Sequence, residues 1–387
     1  EPRPFTLRLF LARGNDGWRV MPGGFVRVAN DVDARAVSLQ RGGSTADAWV
    51  LSDKPVAETT LLPAPDRIVI SRATGALPSR AAANLFWVAR YVERAEATLR
   101  LIRALVNRSS DSDKAAMRVL ARIASLLGAW EAVPTELPNV RPVLVAAAAL
   151  QRRDLDGALP YLVSAAQSAA SVIRDRFSPD AWRALTDLFE LINAPIERPP
   201  TESAIFERTN SALRIVASFS GLAQENMSQL AGWRFLELGR RIERGLATCR
   251  FVRQFAFTAL DGALDVLLEL ADSQITYRLR YVMVAAPVPV IDLVALDPNN
   301  PRSVAYQLAR IEAHLAVLPQ RSEDGRLSPP EQIATALATR FRTADAAVLD
   351  AATFLGAEDA LMKLADVIAS TYFTTHERAQ SRWEALG

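Results

Sequence analysis

The sequence predicts a mainly all-α protein, a multi-helix bundle built from two duplicated halves, with a small β-rich N-terminal segment. Three observations predict it. Apolar residues recur at mixed three and four spacing through most of the chain beyond residue 80, six of the 17 glycines crowd into the first 60 positions, and the chain aligns with itself at an offset of 150 residues. The first marks helices, the second a change of backbone chemistry near residue 70, and the third a repeated unit.

With 387 residues, 50% of them hydrophobic, the chain can bury one large core or two ordinary ones without disulfides or metal staples. Its single cysteine, Cys249, cannot form an internal disulfide, no signal-peptide pattern opens the sequence, and no run of about 18 uncharged apolar residues suits a membrane span. A cytoplasmic location is therefore expected. The 45 basic and 43 acidic residues leave a formal charge of +2, so no global field holds the protein on nucleic acid or an anionic bilayer. All but three of the basic residues are arginines, each a planar fork suited to carboxylate or phosphate. The chain opens at Glu1 and becomes strand-like almost at once, which reads as a piece cut from a longer polypeptide.

In the first segment, placed at residues 1–60, Phe5 to Ala12 alternates, Gly14 to Gly17 turns, and Trp18 to Val20 returns as the second arm of a hairpin. Phe25 to Val28 and Ala36 to Gln40 are further strand candidates, followed by Arg41-Gly42-Gly43-Ser44 and the apolar Trp49-Val50-Leu51. A glycine pair beside a hydroxyl and an arginine can turn several N–H groups toward one anion, so Arg41, Gly42, Gly43 and Ser44 are nucleotide-phosphate candidates; on spacing alone a tight turn is the favoured reading. Met21-Pro22-Gly23-Gly24-Phe25-Val26-Arg27-Val28, Gln40 to Ser44 and Asp47-Ala48-Trp49-Val50-Leu51 resemble the carboxyl end of the circularly permuted ATP-grasp family, over about residues 4 to 55. Thr45-Ala46 stand where family members often carry a lysine beside the aspartate. The resemblance implies a remnant of an ATP- and magnesium-dependent carboxylate-amine ligase whose catalytic body lies elsewhere.

A proline-spaced linker, taken as residues 61–75, precedes the helical domain at 76–378. Its first helix runs from Arg80 through Leu85, Phe86, Val92, Leu99 and Ile102, with Pro78 and Ser79 at its start. Further helical runs are expected at about 115–128, 141–152, 157–175, 180–193, 203–221, 226–259, 263–283, 302–318, 329–353 and 357–376. Ser178-Pro179 is a cap with a first-turn proline, and Pro195, Pro199-Pro200, Pro287, Pro289 and Pro329-Pro330 mark breaks.

Under the offset, Arg90-x-x-Glu93-Arg94 falls on Arg240-x-x-Glu243-Arg244, Ala97 on Ala247, Thr98 on Thr248, Arg100 on Arg250 and Arg103 on Arg253. The halves are placed at about 76–200 and 203–378, each with one long signature helix. Residues three and four apart share a helix face, so Arg90, Glu93 and Arg94 form one charged stripe and Arg240, Glu243 and Arg244 another. Two readings stay open: ion pairs that fix the packing of the halves, or a charged pocket for an anionic or zwitterionic ligand.

Leu77-Pro78-Ser79-Arg80, Asn84-Leu85-Phe86-Trp87 through Tyr91-x-Glu93-Arg94-Ala95-Glu96, Gly232 to Arg244, Tyr277-Arg278-x-Arg280-Tyr281, Asn300-Pro301-Arg302-Ser303 and Tyr372-Phe373 near His376 resemble the bacterial alpha-E domain family across residues 76 to 376. That family is helical and is found fused or adjacent to permuted ATP-grasp proteins, often near transglutaminase-like and proteasome-like peptidases. The resemblance implies membership of an ATP-dependent peptide or amide synthesis system, with no activity of its own assigned.

Among the remaining motifs, Asn300-Pro301 reads as a helix cap with a first-turn proline, which leaves Arg302 as a ligand candidate. Tyr277, Arg278 and Tyr281 share a face where an arginine can stack on rings or meet a carboxylate, with core packing and a snorkelling arginine as the favoured reading. His314 and His376 are the only histidines and sit in no Glu-x-x-His pair, so no metal is expected; Cys249 has no base at helical spacing and reads as a structural thiol.

The expected function is a helical accessory or substrate-handling module of an ATP-dependent carboxylate-amine ligase system, not a complete enzyme alone. Glu93, Arg94, Glu243 and Arg244 lead the ligand-binding candidates, then Arg90, Arg240, Tyr277, Arg278 and Arg302, with arginines holding a carboxylate and glutamates an ammonium. The alternative is a structural or docking module whose stripes are packing ion pairs. ATP and magnesium are implied for the missing ligase domain alone. Expected partners are that ligase domain, the two peptidase classes and an amino-acid or peptide ligand, with neither nucleic acid nor membrane.

Overall fold

A computed structural model describes residues 4–14, 17–21, 23–29, 44–53, 77–111, 113–134, 136, 141–196, 199–282, 284–319 and 326–373. The strand expected at Ala36 to Gln40, the triplet Arg41-Gly42-Gly43, the linker at 61–75 and His376 lie outside them. The chain divides into two units, Glu1–Ala73 and Thr74–Gly387.

In the first unit β1 (Phe5–Arg8), β4 (Gly24–Val28) and β5 (Ser44–Ala48) form an antiparallel sheet in the order β1-β4-β5, and β2 (Leu11–Gly14) pairs with β3 (Gly17–Val20) as a ribbon. The single strand expected over Phe5 to Ala12 is thus two. Ser44 does not sit in a turn but opposite Val28 at the head of β5, and Trp49 to Leu51 lie beyond the strand. Ladder pairing is a backbone property, so the small, polar Ser44–Ala48 can satisfy β4 while its apolar neighbours stay outside.

The second unit is helical and is organised around α1 (Ser79–Val106). After it come α2 (Lys114–Ala129), α3 (Pro142–Gln151), α4 (Leu159–Ser171), a 3₁₀ turn, α5 (Pro179–Asn193) and α6 (Glu202–Asn226). The other long signature helix is α7 (Ala231–Phe255), followed by α8 (Ala263–Leu270), α9 (Gln274–Tyr281), α10 (Pro287–Ile291) with a π turn over Asp292–Leu296, α11 (Val304–Leu315), α12 (Pro329–Arg342) and α13 (Ala351–Tyr372). No described helix is long and apolar enough to cross a membrane.

Side-chain caps set six of the helix starts. Asp113, Ser178, Thr201, Ser303 and Asp350 each accept a backbone N–H three residues on, and Ser328 forms a capping box with Glu331. The long runs expected at 263–283 and 329–353 are each broken. Asp272, at φ 53°, ends α8 as Ser273 N–H donates to Leu268 C=O and Asp272 N–H to Glu269 C=O, a Schellman end built on aspartate rather than glycine. Residues 343–350 separate α12 from α13, where Asp350 starts a new helix. Pro287 opens a short helix instead of marking a break, because its missing N–H falls in the first turn.

The helices α1 and α7 pack against each other, with α4 and α6 also against α1 and α11 and α13 against α7. At one point the two backbones nearly touch: a Cβ on Gly239 would lie 2.2 Å from the Phe86 carbonyl oxygen and 3.3 Å from the Cβ of Ala89, the residue that the 150 offset pairs with Gly239. Both helices are buried around their circumference, so their charged residues are carried into the interior along with Phe86, Leu99, Ile102, Leu238 and Val252.

Candidate functional site

Burial forces the stripes to find partners, because an unpaired charge inside costs several kcal/mol (roughly 3–5 when one partner is removed). Glu243, 3% exposed, accepts Arg90 Nε at 2.9 Å and Arg94 Nε at 2.7 Å from the other signature helix. In return Glu93, 4% exposed, accepts Arg244 through Nε and through Nη2, the latter at 2.9 Å, and lies 3.9 Å from Arg240 Nε. The pairing is reciprocal under the 150 offset. Burial alone would raise Glu243, yet Arg94 and Arg90 overcome it and hold the carboxyl below the usual range. For the same reason Arg244 is held above its ordinary value despite its burial, by Glu93 and Glu96.

The halves diverge next to the stripe. Arg240 bonds Glu237 at 2.9 Å, whereas its counterpart Arg90 lies 4.9 Å from the ring of Trp87, the counterpart of Glu237. Glu96 falls on Leu246 under the offset, so its carboxylate exists in one half alone. It gathers Arg100 Nε at 2.9 Å, Arg244 Nη2 at 3.3 Å and Arg302 Nη2 at 2.5 Å. Burial opposes ionisation of Glu96, but Arg302, Arg244 and Arg100 outweigh it and hold the carboxyl far below the carboxylate range.

Beside Glu96 opens a cleft of about 520 Å³ between α1, α6 and α7, closed by Asp272 and Arg302. Arg100, Arg103, Arg214, Arg240, Arg244 and Arg302 line it, against the acids Glu96 and Asp272. With Glu93 and Glu237 behind Arg244 and Arg240, four of these arginines have carboxylate partners. Arg103 and Arg214 have none among the described residues; Arg214 Nη2 donates to Ser211 Oγ at 3.0 Å. Arg100, 8% exposed, reaches Asp272 at 3.4 Å and keeps its Nη1 buried without a partner. Arg302 is pushed down to about 10, first by burial and then by Arg244, with Glu96 opposing, as befits a crowd of cations. Asn210, Leu213, Ala217 and Ser220 complete the wall, with no aromatic ring among them. Such a surface suits an anion with two negative charges.

A second, smaller cavity of about 200 Å³ is lined by other residues of the same two helices, Arg94 and Ala97 from α1 and Glu243, Ala247 and Arg250 from α7, together with Ala129, Trp130 and Glu131.

Of the candidates read from sequence, Arg240, Arg244 and Arg302 line the cleft, while Arg94 and Glu243 line the smaller cavity. Arg90 and Glu93 are taken up in the pairs between α1 and α7. Tyr277 and Arg278 do not join them. The Tyr277 hydroxyl donates to Val284 C=O at 3.2 Å and accepts Ala286 N–H at 3.0 Å, fastening the chain after α9, and Arg278 is exposed. Asn300 is not a helix cap: Ser303 caps α11, and Asn300 instead donates to Ser273 Oγ at 3.1 Å and Leu293 C=O at 2.9 Å while accepting Arg302 N–H at 3.0 Å. That turn aims Arg302 at Glu96. Ser44 lies in β5. Sequence reasoning missed Arg100, Arg103, Arg214 and Asp272 as site residues; the first two had a signal, since the offset pairs them with Arg250 and Arg253, but Arg214 and Asp272 had none. Cys249 is fully buried, its thiol pushed up by burial and by Glu358. Among the described residues no group of three or more histidine, cysteine, aspartate or glutamate side chains could hold a metal ion.

The helical stretch matches the Alpha-E family model, described as a predicted alpha-helical domain with a conserved ER motif, over residues 77–373. Glu93-Arg94 and Glu243-Arg244 are Glu-Arg pairs within that span. An uncharacterized protein of Mycobacterium tuberculosis is 27% identical over 97% of this chain and 46% of its own length, and an uncharacterized protein of Mycobacterium bovis matches with the same identity and coverage. The chain thus spans about half the length of these relatives. No solved structure matches.

Proposed function

We propose, from the premise that this chain belongs to the Alpha-E family, that its helical unit is a substrate-handling module that holds a carboxylate-rich ligand in the arginine cleft between α1, α6 and α7. The observation that carries this reading is the charge imbalance of the cleft: Arg103 and Arg214 have no carboxylate partners among the described residues. Its volume of about 520 Å³ admits an acidic amino acid or short acidic peptide. The absence of a ring in its lining disfavours a nucleotide, whose base would be left without a stacking surface.

Together with the permuted ATP-grasp resemblance of residues 4 to 55, this makes the unit an accessory of an ATP-dependent carboxylate-amine ligase system, with ATP and magnesium used by the ligase rather than by the helices. Neighbouring transglutaminase-like or proteasome-like peptidases fit the same system. The reciprocal pairing of Glu243 with Arg94 and of Glu93 with Arg244 favours a structural role for the two glutamates, with binding left to the cleft arginines.

Calorimetric titration of the full chain with L-glutamate, di- and triglutamate, inorganic phosphate and magnesium-ATP tests the proposal. Binding of glutamate or its peptides, weakened about tenfold by Arg103→Ala together with Arg214→Ala, is the expected result. Binding of magnesium-ATP alone, or of none of these probes, would overturn it.

A further inference from the structure

The smaller cavity has a chemistry that the cleft lacks. Helix α2 ends in a Schellman motif, with Ala132 N–H donating to Leu127 C=O and Glu131 N–H to Gly128 C=O, both at 2.9 Å. The residue in the left-handed position of that motif is usually glycine; here it is Glu131 at φ 57°. Packing enforces the strained geometry: a Cβ on Gly157 would lie 1.7 Å from the Trp130 carbonyl oxygen, so the turn before α4 is clamped onto this end. A left-handed glutamate costs stability that glycine would not; Glu131 is exposed, borders the cavity and has no hydrogen-bond or ion-pair partner among the described residues.

Facing it are two cations with donors to spare. Arg94 bonds Glu243 and Arg250 bonds Glu358 through Nε, and neither has a hydrogen bond from its Nη groups among the described residues. The Arg250 guanidinium lies 5.7 Å from the ring of Trp130, whose Nε1 is buried without a partner. Ala97, Ala129 and Ala247 add small apolar side chains to the lining. A carboxylate without a partner among the described residues and guanidinium Nη donors around about 200 Å³ match a small zwitterion.

We infer that this cavity is a second binding site, for a small free α-amino acid such as glycine or alanine, with the ammonium on Glu131 and the carboxylate on Arg94 and Arg250. The cavity sets a carboxylate beside guanidinium groups, suited to an ammonium and a carboxylate carried on one carbon. The site is independent of the cleft reading.

Titrating glycine, L-alanine, N-acetylalanine and alanine amide into the full chain tests the inference. Glycine and alanine bind, the two blocked forms bind at least about tenfold more weakly, and Arg103→Ala in the cleft leaves these affinities unchanged. Glu131→Gly is the decisive variant, since it relieves the left-handed strain and so folds: its melting temperature rises while alanine binding falls at least about tenfold. Alanine binding undiminished in Glu131→Gly, equal binding of the blocked forms, or no binding of free amino acids to the parent chain would each overturn it.

Discussion

Glu93 and Glu243 exchange partners across the packed pair α1 and α7: Glu243 takes Arg90 and Arg94 from the helix of Glu93, and Glu93 takes Arg244 from the helix of Glu243. Neither carboxylate is paired by an arginine of its own stripe. Charges at these positions therefore join two segments about 150 residues apart, which an intrahelical ion pair cannot do.

Replacing one of them should separate packing from binding. Glu243→Gln leaves Arg90 buried without its carboxylate and should cost about 3 kcal/mol, read by urea denaturation, with Glu93→Gln similar. Glutamate-peptide affinity at pH 7 should change little in the folded fraction of Glu243→Gln, because Glu243 does not line the cleft.

Gly239 is where α1 and α7 come closest. Gly239→Ala puts a methyl group against the Phe86 carbonyl, a backbone atom that cannot swing away, and should destabilise by about 3 kcal/mol, whereas Gly221→Ala, with open space around it, should leave the melting temperature within a degree or two or raise it.

Acid should unfold the protein in two stages. Burial pushes His314 down to about 4, with Glu237 opposing, so the unfolded chain binds the extra proton between its ordinary value near 6.5 and that value. Stability is then complete above about 6.5 and falls as pH drops toward 4, by an amount on the order of 3 kcal/mol. Below about 4.5 the depressed carboxyls of Glu96, Glu237 and Glu243 continue the loss in the same direction. His314→Phe should flatten the upper stage in a series of denaturation curves and leave the lower one.

Cleft binding should be ionic in character. Raising salt from about 0.05 to 0.5 M should weaken triglutamate binding several-fold, since Arg103 and Arg214 act as incompletely screened charges at the cleft, and Arg103→Ala should reduce that salt dependence.

Cys249 offers a reporter of global opening. The only thiol in the chain is fully buried and its ionisation is suppressed, so a thiol-reactive dye should label it no faster than the protein unfolds. Rapid native-state labelling would contradict the burial of the α7 face that carries it.

Local patterns made much of this legible in advance. Ser178-Pro179 announced α5 because a cap and a first-turn proline act within four residues, and the two stripes were visible because a duplicated helix repeats its own spacing. The breaks at Asp272 and at residues 343–350 escaped notice because neither carries a glycine or proline; an aspartate took the left-handed position at the first. Asn300 misled for a related reason, since an asparagine before a proline imitates a cap while its amide is spent on Ser273 and Leu293.

By itself the sequence determined the all-helical class of the larger unit, its two signature helices and the charges they bear, since period, caps and duplication are properties of neighbours along the chain. Which arginine meets which glutamate was decided by the tertiary structure: Arg100 reaches Asp272, 172 residues away, and Arg302 reaches Glu96, 206 residues away. Packing of α1 against α7 pairs the stripes, and with α6 it forms a cleft where Arg103 and Arg214 have no carboxylate partner among the described residues. A charge balance of that kind is a sum over side chains brought together in space, which no spacing along the chain encodes.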